Sequence, residues 1–362
     1  MSWEAERARF PVLREHAYLN AGTNGPLAEA TIDAVSTLQA WEAANGRGGK
    51  TYFDAMLERR ERVRGLIAAQ IGVTPVHVAL TDSTTRAVHV VVGGLGLRPG
   101  DEVVTTDSEH FGLLGPLVAS DATVEIVAIR DLPADAVLDA IAARVTERTR
   151  LIAVSAVVWL DGRLIPWAAL RERTGVPVLV DGAQSAGAIE VDAGEADYYT
   201  VSAQKWLCGP DATGALYVRD ADSLRPFMLS YPAAESFDLR TGDWEPKAGA
   251  ARFDTGCTPP SSLAGLEAAL RDLPVGRFDR ARELAGRCRE LLVAAGLDVV
   301  TEPGQATLVS FRAPGDPLEL RSALYERKVV VRDLPGTDLL RASVGWWNDE
   351  SDLQRLVEGL AG

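Results

Sequence analysis

A chain of 362 residues, 47% hydrophobic and 24% charged, is long enough to bury a large core and has the composition of an ordinary globular protein. A formal charge of −14 with no basic run excludes a nucleic-acid surface, and no apolar stretch approaches the ~20 residues that cross a bilayer, so neither nucleic acid nor membrane is an expected partner. The widely spaced Cys208, Cys257 and Cys288 exclude a disulfide framework and a zinc knuckle, and the start of the chain, with Glu4 and Glu6 and no apolar core, does not read as a signal peptide, so a cytoplasmic location is expected.

In chain order, short β-branched runs fall at 76–81, 102–106, 124–129, 151–157, 176–180, 198–201 and 215–218. Helix-period stretches at 84–93, 134–144 and 167–174 lie between them. This alternation predicts an α/β fold with a mainly parallel, seven-stranded sheet whose ligand site lies at the carboxyl ends of the strands. After Arg219 the pattern changes: loop-like residues through Gly256 lead into one long helical stretch at 263–294. Shorter apolar segments follow at 297–300, 307–311, 318–327, 329–331 and 340–344, and then an amphipathic helix at 351–360 behind the cap Asn348-Asp349-Glu350. The expected division is a large domain of residues 16–250 and a smaller α+β domain built from 1–15 and the C-terminal part, 251–362.

The chemistry-bearing segments begin where strands run out. Val-Asp-Gly-Ala-Gln-Ser-Ala-Gly (180–187) and Ser-Ala-Gln-Lys-Trp-Leu-Cys-Gly-Pro (202–210) put Asp181 and Lys205 on one rim of the sheet, 24 residues apart. Pyridoxal 5′-phosphate (PLP) needs such a pair: a lysine amine to form a Schiff base, and a carboxylate to keep the pyridine nitrogen protonated so that the ring can accept electrons. A turn-capping aspartate and a solvated lysine would be the ordinary alternative. Of the four lysines, however, only Lys205 ends a buried-looking strand. In Leu80-Thr81-Asp82-Ser83-Thr84-Thr85-Arg86 a strand end runs into a helix start, which offers hydroxyls and free N–H groups to a phosphate. A simple N-cap by Asp82 or Ser83 is the competing reading. His110, in Ser-Glu-His-Phe, can stack on a flat ring and help move protons, although a lone histidine also serves as a structural hydrogen-bonding group. Arg341, in Leu-Leu-Arg-Ala-Ser-Val-Gly-Trp-Trp-Asn, can clamp a substrate carboxylate with two parallel hydrogen bonds, and Arg332 is the competing clamp.

Together these segments resemble the class V aminotransferase family of fold-type I PLP enzymes, which includes cysteine desulfurases, cystine and cysteine C–S lyases and isopenicillin N epimerase-like proteins. The resemblance runs from Tyr18-Leu19-Asn20-Ala21-Gly22-Thr23-Asn24-Gly25-Pro26, similar to the family's substrate-side loop, to Arg341-Ala342-Ser343-Val344-Gly345. It implies a fold-type I transferase architecture with the cofactor on Lys205. It further implies Asp181 at the pyridine nitrogen, Gln184 at the phenolic oxygen, His110 on the ring face, and Thr84, Thr85 and Ser202 at the phosphate. Gln204 stands where the family usually has histidine and still can donate to a phosphate. Arg341 would hold the substrate carboxylate, with Asn20 and Thr23 on the substrate side. The segment 252–258 resembles the stretch that reaches the other subunit's phosphate in family homodimers; Cys257 stands where threonine is usual, and Thr258 is the substitute.

Trp159 occupies a place where desulfurases usually put asparagine, which points to the C–S lyase and epimerase branch. Desulfurases also need a mobile thiol shortly before the carboxylate arginine. No cysteine lies between Phe311 and Arg341. The expectation is therefore a PLP-dependent lyase that removes a Cβ leaving group, a C–S bond above all, from a cysteine-derived amino acid by β-elimination. An aminotransferase or epimerase shares the same first steps and stays open. A non-catalytic scaffold is a third class, opposed by the intact Lys205/Asp181 pair. The expected partners are a small amino-acid substrate and a second copy of the chain, with no metal.

Overall fold

The computed structural model describes residues 2–256 and 258–361. Eleven α-helices among them are α1 (Trp3–Ala8), α2 (Glu29–Asn45), α3 (Lys50–Gln70), α4 (Thr84–Leu95), α5 (Phe111–Val118), α6 (Ala134–Ala142), α7 (Trp167–Thr174), α8 (Pro260–Arg271), α9 (Arg277–Ala294), α10 (Pro317–Glu326) and α11 (Glu350–Leu360). The strands are β1 (Ala17–Tyr18), β2 (Val78–Thr81), β3 (Glu102–Thr106), β4 (Thr123–Val127), β5 (Thr149–Ser155), β6 (Val178–Asp181), β7 (Tyr198–Ser202), β8 (Gly214–Val218), β9 (Ala234–Phe237), β10 (Trp244–Pro246), β11 (Leu308–Arg312), β12 (Val329–Val330), β13 (Arg332–Asp333) and β14 (Leu339–Ser343).

The runs of valine, isoleucine and leucine form a seven-stranded sheet in the order β2-β8-β7-β6-β5-β3-β4. Only β8 runs against its neighbours. Strands β2, β3, β6, β7 and β8 are buried along their whole length, because helices cover both faces and leave no solvated side that would demand alternation. One core packs Ile67, Ile71, Val104, Val154, Val180 and Leu266 together, and another packs Val88, Val91, Leu113, Leu117, Leu179 and Leu216. The sheet belongs to the α/β class expected from the sequence.

Several parts of the chain differ from the sequence reading, among them the unread short helices α1 and α5. The single helix expected at 263–294 is two, α8 and α9. Pro274 interrupts the pattern, and Gly276, at φ +77°, enters α9 from the left-handed region. Helices α2 and α3 went unread because neither carries a strong apolar stripe. Their attachment is partly ionic: Arg59 and Arg62 of α3 hold Glu267 of α8, and the buried Arg60 and Arg64 hold Asp254. The stretch after Arg219, read as loop, contains the short antiparallel pair β9 and β10.

A second sheet, β11-β14-β13, is antiparallel and carries α9, α10 and α11. Contacts cross the expected domain boundaries: β1 pairs in parallel with β12, and Asn20 bridges to Ser343. The loop that follows β1 is thereby fixed between the two sheets, next to the rim of the larger one. No helix among the described residues is long and apolar enough to cross a membrane.

Candidate active site

Asp181 is the last residue of β6, and Lys205 follows β7, the parallel strand beside it. Asp181 is buried, and its Oδ1 accepts from Ala183 N–H at 2.8 Å and Thr200 Oγ1 at 3.3 Å. These bonds fix the carboxylate at the strand end. Burial lowers the pKa of Lys205 to about 8; the Asp181 charge pulls it up and the Arg341 charge pushes it further down. An amine so depressed is a far better nucleophile at neutral pH than an ordinary lysine.

Lys205 opens onto a cavity of about 380 Å³ whose wall includes Gly22, Thr23, His110, Trp159, Gln184, Arg332 and Arg341. No acidic side chain among the described residues lines it. Arg341 is buried in β14; its Nη1 donates to the Trp159 carbonyl at 2.7 Å and its Nε has no partner among the described residues. Burial lowers its pKa to about 9, with Arg332 adding like-charge repulsion. Arg332 stands opposite Arg341 in the β13–β14 register and makes no ion pair with any described residue. Gly22 lies against the guanidinium, where a Cβ would stand 2.7 Å from Arg341 Nη2.

His110 caps α5: its Nδ1 accepts from Gly112 N–H at 3.0 Å, so the neutral ring carries its proton on Nε2. Burial, followed by the Lys205 charge, lowers its pKa and favours that neutral form. Its ring meets Trp159 edge-on, with centroids 5.2 Å apart. Thr84, the first residue of α4, and Ser202, the last of β7, share a hydrogen bond of 2.6 Å, so the two hydroxyls meet at a helix N-terminus. Thr85 is exposed and faces Gly112 beside the His110 ring. Gln184 is buried, with Nε2 donating to Gly22 O at 2.9 Å and Oε1 accepting from Trp206 Nε1 at 3.0 Å.

Thr23 faces the cavity, whereas Asn20 shapes the loop by accepting from Thr23 Oγ1 at 2.8 Å and does not line the wall. Gln204 adjoins Lys205 with a buried Oε1 that has no partner among the described residues. Thr258 is buried with an equally unpartnered hydroxyl and does not line the Lys205 cavity. Cys257 lies outside the described residues. Cys208 and Cys288 are buried thiols whose pKa burial pushes up, and neither lines the cavity. No cluster of metal-ligating side chains occurs among the described residues.

The sequence reading passed over Glu109, a buried carboxyl directly before His110. It accepts from Thr106 Oγ1 at 2.7 Å, Ser155 N–H at 3.0 Å and Ser155 Oγ at 2.5 Å. Burial, against which these bonds pull and to which the Asp181 charge adds, raises its pKa to about 7. The signal was an acidic residue three positions past the end of a wholly buried strand. Trp206 was also passed over; nothing in its neighbourhood in sequence announces a bond to a glutamine 22 positions earlier.

A sequence model described as Aminotransferase class-V matches residues 17–356. An isopenicillin N epimerase of Amycolatopsis lactamdurans is 32% identical, covering 99% of this chain and 98% of its own. A probable cysteine desulfurase of Pseudomonas aeruginosa is 32% identical over 98% of this chain and 96% of its own. Among solved structures, a C-DES variant with glycine covalently linked to its PLP cofactor superposes with a TM-score of 0.91 at 25% identity, covering 98% of both chains. The complex of the cystine C–S lyase C-DES with its reaction product cysteine persulfide gives 0.90 at 25% identity, over 97% of this chain and 99% of that one. With this match running from β1 into the last helix, the chain belongs to the class V aminotransferase family.

Proposed function

We propose that the chain is a PLP-dependent lyase that cleaves the Cβ–S bond of a cysteine-derived amino acid by β-elimination. The observation that carries the reading is the cavity wall: Lys205, Arg341 and Arg332 line it, and no described cysteine does. The residues present fit the cofactor. The Thr84 and Ser202 hydroxyls and the N-terminus of α4 suit a phosphate, Asp181 a protonated pyridine nitrogen, and Gln184 a phenolic oxygen. Once bound, PLP supplies an aldehyde carbon for the amine and a ring that accepts an electron pair.

Arg341 binds the substrate α-carboxylate and so fixes the Cα–H bond toward Lys205. Nζ of Lys205, its proton affinity lowered by burial, takes the α-proton; the Cα–H pair becomes the Cα–Cβ double bond as the Cβ–S bond breaks, and that bond's own pair leaves with sulfur. Neutral His110 and the Trp159 ring form one aromatic side of the cavity. Arg332 is then left for a second anionic group, as in cystine, whose distal half carries another carboxylate. C-DES, so similar in fold, is described as a cystine C–S lyase. With no thiol of the described residues lining the cavity, sulfur is expected to leave on the product rather than on the enzyme.

Epimerisation is the second reading, favoured by relatives named isopenicillin N epimerase at 28% and 32% identity. A homodimer is proposed as well. A groove of about 790 Å³ between α2, α3 and α8 is lined by Leu38, Trp41, Tyr52 and Met56, with Ile32, Phe53 and Leu57 exposed around it. The test of the reaction is to incubate PLP-loaded protein with cystine, S-substituted cysteines and keto acids. Pyruvate and ammonia are expected from cystine; inversion at Cα with sulfur retained, or amino transfer without pyruvate, would contradict the lyase reading.

A further inference from the structure

We infer that Trp206 is a positioning residue: its indole N–H fixes the orientation of the Gln184 side-chain amide and so makes Gln184 a hydrogen-bond donor, rather than an acceptor, toward the bound cofactor. The inference rests on the proposed contact between Gln184 and the phenolic oxygen.

An amide side chain can present either end to its surroundings, since half a turn exchanges its oxygen and its NH₂. Here both neighbours forbid the exchange. Trp206 Nε1 can only donate, and it meets Gln184 Oε1 at 3.0 Å. The Gly22 carbonyl can only accept, and it meets Gln184 Nε2 at 2.9 Å. Turned over, the amide would set NH₂ against an indole N–H and oxygen against a carbonyl oxygen, losing two hydrogen bonds inside a buried site. Nε2 carries two protons, and Gly22 uses one. The other is left for the cavity, whose wall Gln184 helps to form.

The surroundings hold the clamp rigid. Trp206 is 1% exposed. A Cβ on Gly187 would stand 3.0 Å from the Trp206 carbonyl carbon, and one on Gly25 would stand 2.0 Å from the Lys205 carbonyl oxygen, so the turn after Gln184 and the substrate-side loop both lie against residues 205–206. Gly25 N–H also donates to Gln204 O at 2.8 Å. The backbone that bears the indole is therefore held by the same contacts as that of Lys205.

The consequence is electronic. A donor on the phenolic oxygen spreads its negative charge, so the oxygen holds the proton it shares with the Lys205 nitrogen less tightly, and that nitrogen titrates at lower pH. The readout is the visible absorbance of the PLP-loaded protein, titrated with pH in the absence of substrate. Trp206→Phe keeps an aromatic ring but removes the N–H, and the midpoint is expected to rise by about half a unit to one unit, the worth of one neutral hydrogen bond. The other charged or titratable groups around the site, Asp181, Glu109, His110, Arg332 and Arg341, are unchanged in this variant. Trp347→Phe is the packing control: its ring lies 6.4 Å from that of Trp206 and its Nε1 has no partner among the described residues, so its midpoint should stay at the wild-type value. Gln184→Met, which neither donates nor accepts through an amide, should raise the midpoint at least as far, and adding Trp206→Phe to it should change nothing more.

If Gln184→Met moves the midpoint while Trp206→Phe does not, the role of Trp206 is overturned and the Gln184 contact stands. If Gln184→Met itself leaves the midpoint in place, the contact on which the inference rests is lost as well. An equal rise in Trp347→Phe, or additive rises in the double variant, would also overturn it. Should Trp206→Phe not fold, benzothienylalanine at position 206 removes the N–H with sulfur in its place and keeps the ring size: a raised midpoint then supports the role of Trp206, and an unchanged one overturns it.

Discussion

Arg341 and Arg332 sit in one register pair and face one cavity, but they differ in what surrounds them. Arg341 is buried and already holds the Trp159 carbonyl, so its remaining donors are pre-aimed. Replacing it by alanine should lower kcat/KM for every amino-acid substrate by about ten- to a hundredfold per lost charged hydrogen bond. Arg332→Gln should discriminate: a comparable loss with cystine, and little with S-methylcysteine, which has no second anion. Equal losses on both substrates, in parallel steady-state measurements, would remove the second-anion role. Glu109 poses a different question, one of pH. Its folded pKa, raised from 4.5 to about 7, means that the folded chain holds this proton more tightly than the unfolded one. Its contribution to stability is therefore full below about pH 4.5 and is lost as pH rises through about 7. In the cofactor-free protein, Glu109→Gln should flatten the pH dependence of the unfolding free energy across this window by at most on the order of 3 kcal/mol, as read from urea titrations at several pH values.

At the scale of elements, one buried carboxylate joins the helices to the sheet. Asp254 accepts from Arg60 at 2.8 Å, from Arg64 at 3.0 Å and from Leu80 N–H of β2 at 2.8 Å, with no exposure of its own. Its pKa is held below the ordinary aspartate value by these partners, against the opposing pull of burial. Asp254→Asn leaves the buried Arg60 guanidinium without a carboxylate and Arg64 with Glu61 alone, and should cost about 3–5 kcal/mol in chemical unfolding, a loss far larger than that of an exposed pair such as Lys50–Asp54. How much of this was legible varies from element to element. The strands of the large sheet were readable because burial on both faces requires continuous β-branched runs, and Asp181 and Lys205 could be placed because each lies where such a run ends. Helices α2 and α3 were not, since charges rather than an apolar stripe tie them to α8. The break at Pro274 and Gly276 was visible in sequence yet was overridden by the helix-forming residues on either side. The pairing of Trp206 with Gln184 depends on two loops meeting, which no local pattern encodes.

In the whole molecule a cationic cavity lies between the mainly parallel sheet and the antiparallel one, with the loop at 20–25 running from the second to the first. Such a cavity is open on the side of Phe111, which is 76% exposed, and the apolar groove between α2, α3 and α8 is open as well. A second copy of the chain that covers these surfaces would account for both. Sedimentation velocity should give a dimer for the wild type, and Trp41→Glu with Leu57→Glu should shift it toward monomer and lower activity with it. A fully active monomer would exclude this arrangement. The account as a whole depends on one covalent claim, that the cofactor is carried by Lys205. Borohydride reduction of the PLP-loaded protein, followed by proteolysis and mass mapping, tests it directly. The account predicts a single pyridoxyl adduct on the peptide containing Lys205; an adduct on Lys50, Lys247 or Lys328 instead, or none at all, would contradict it.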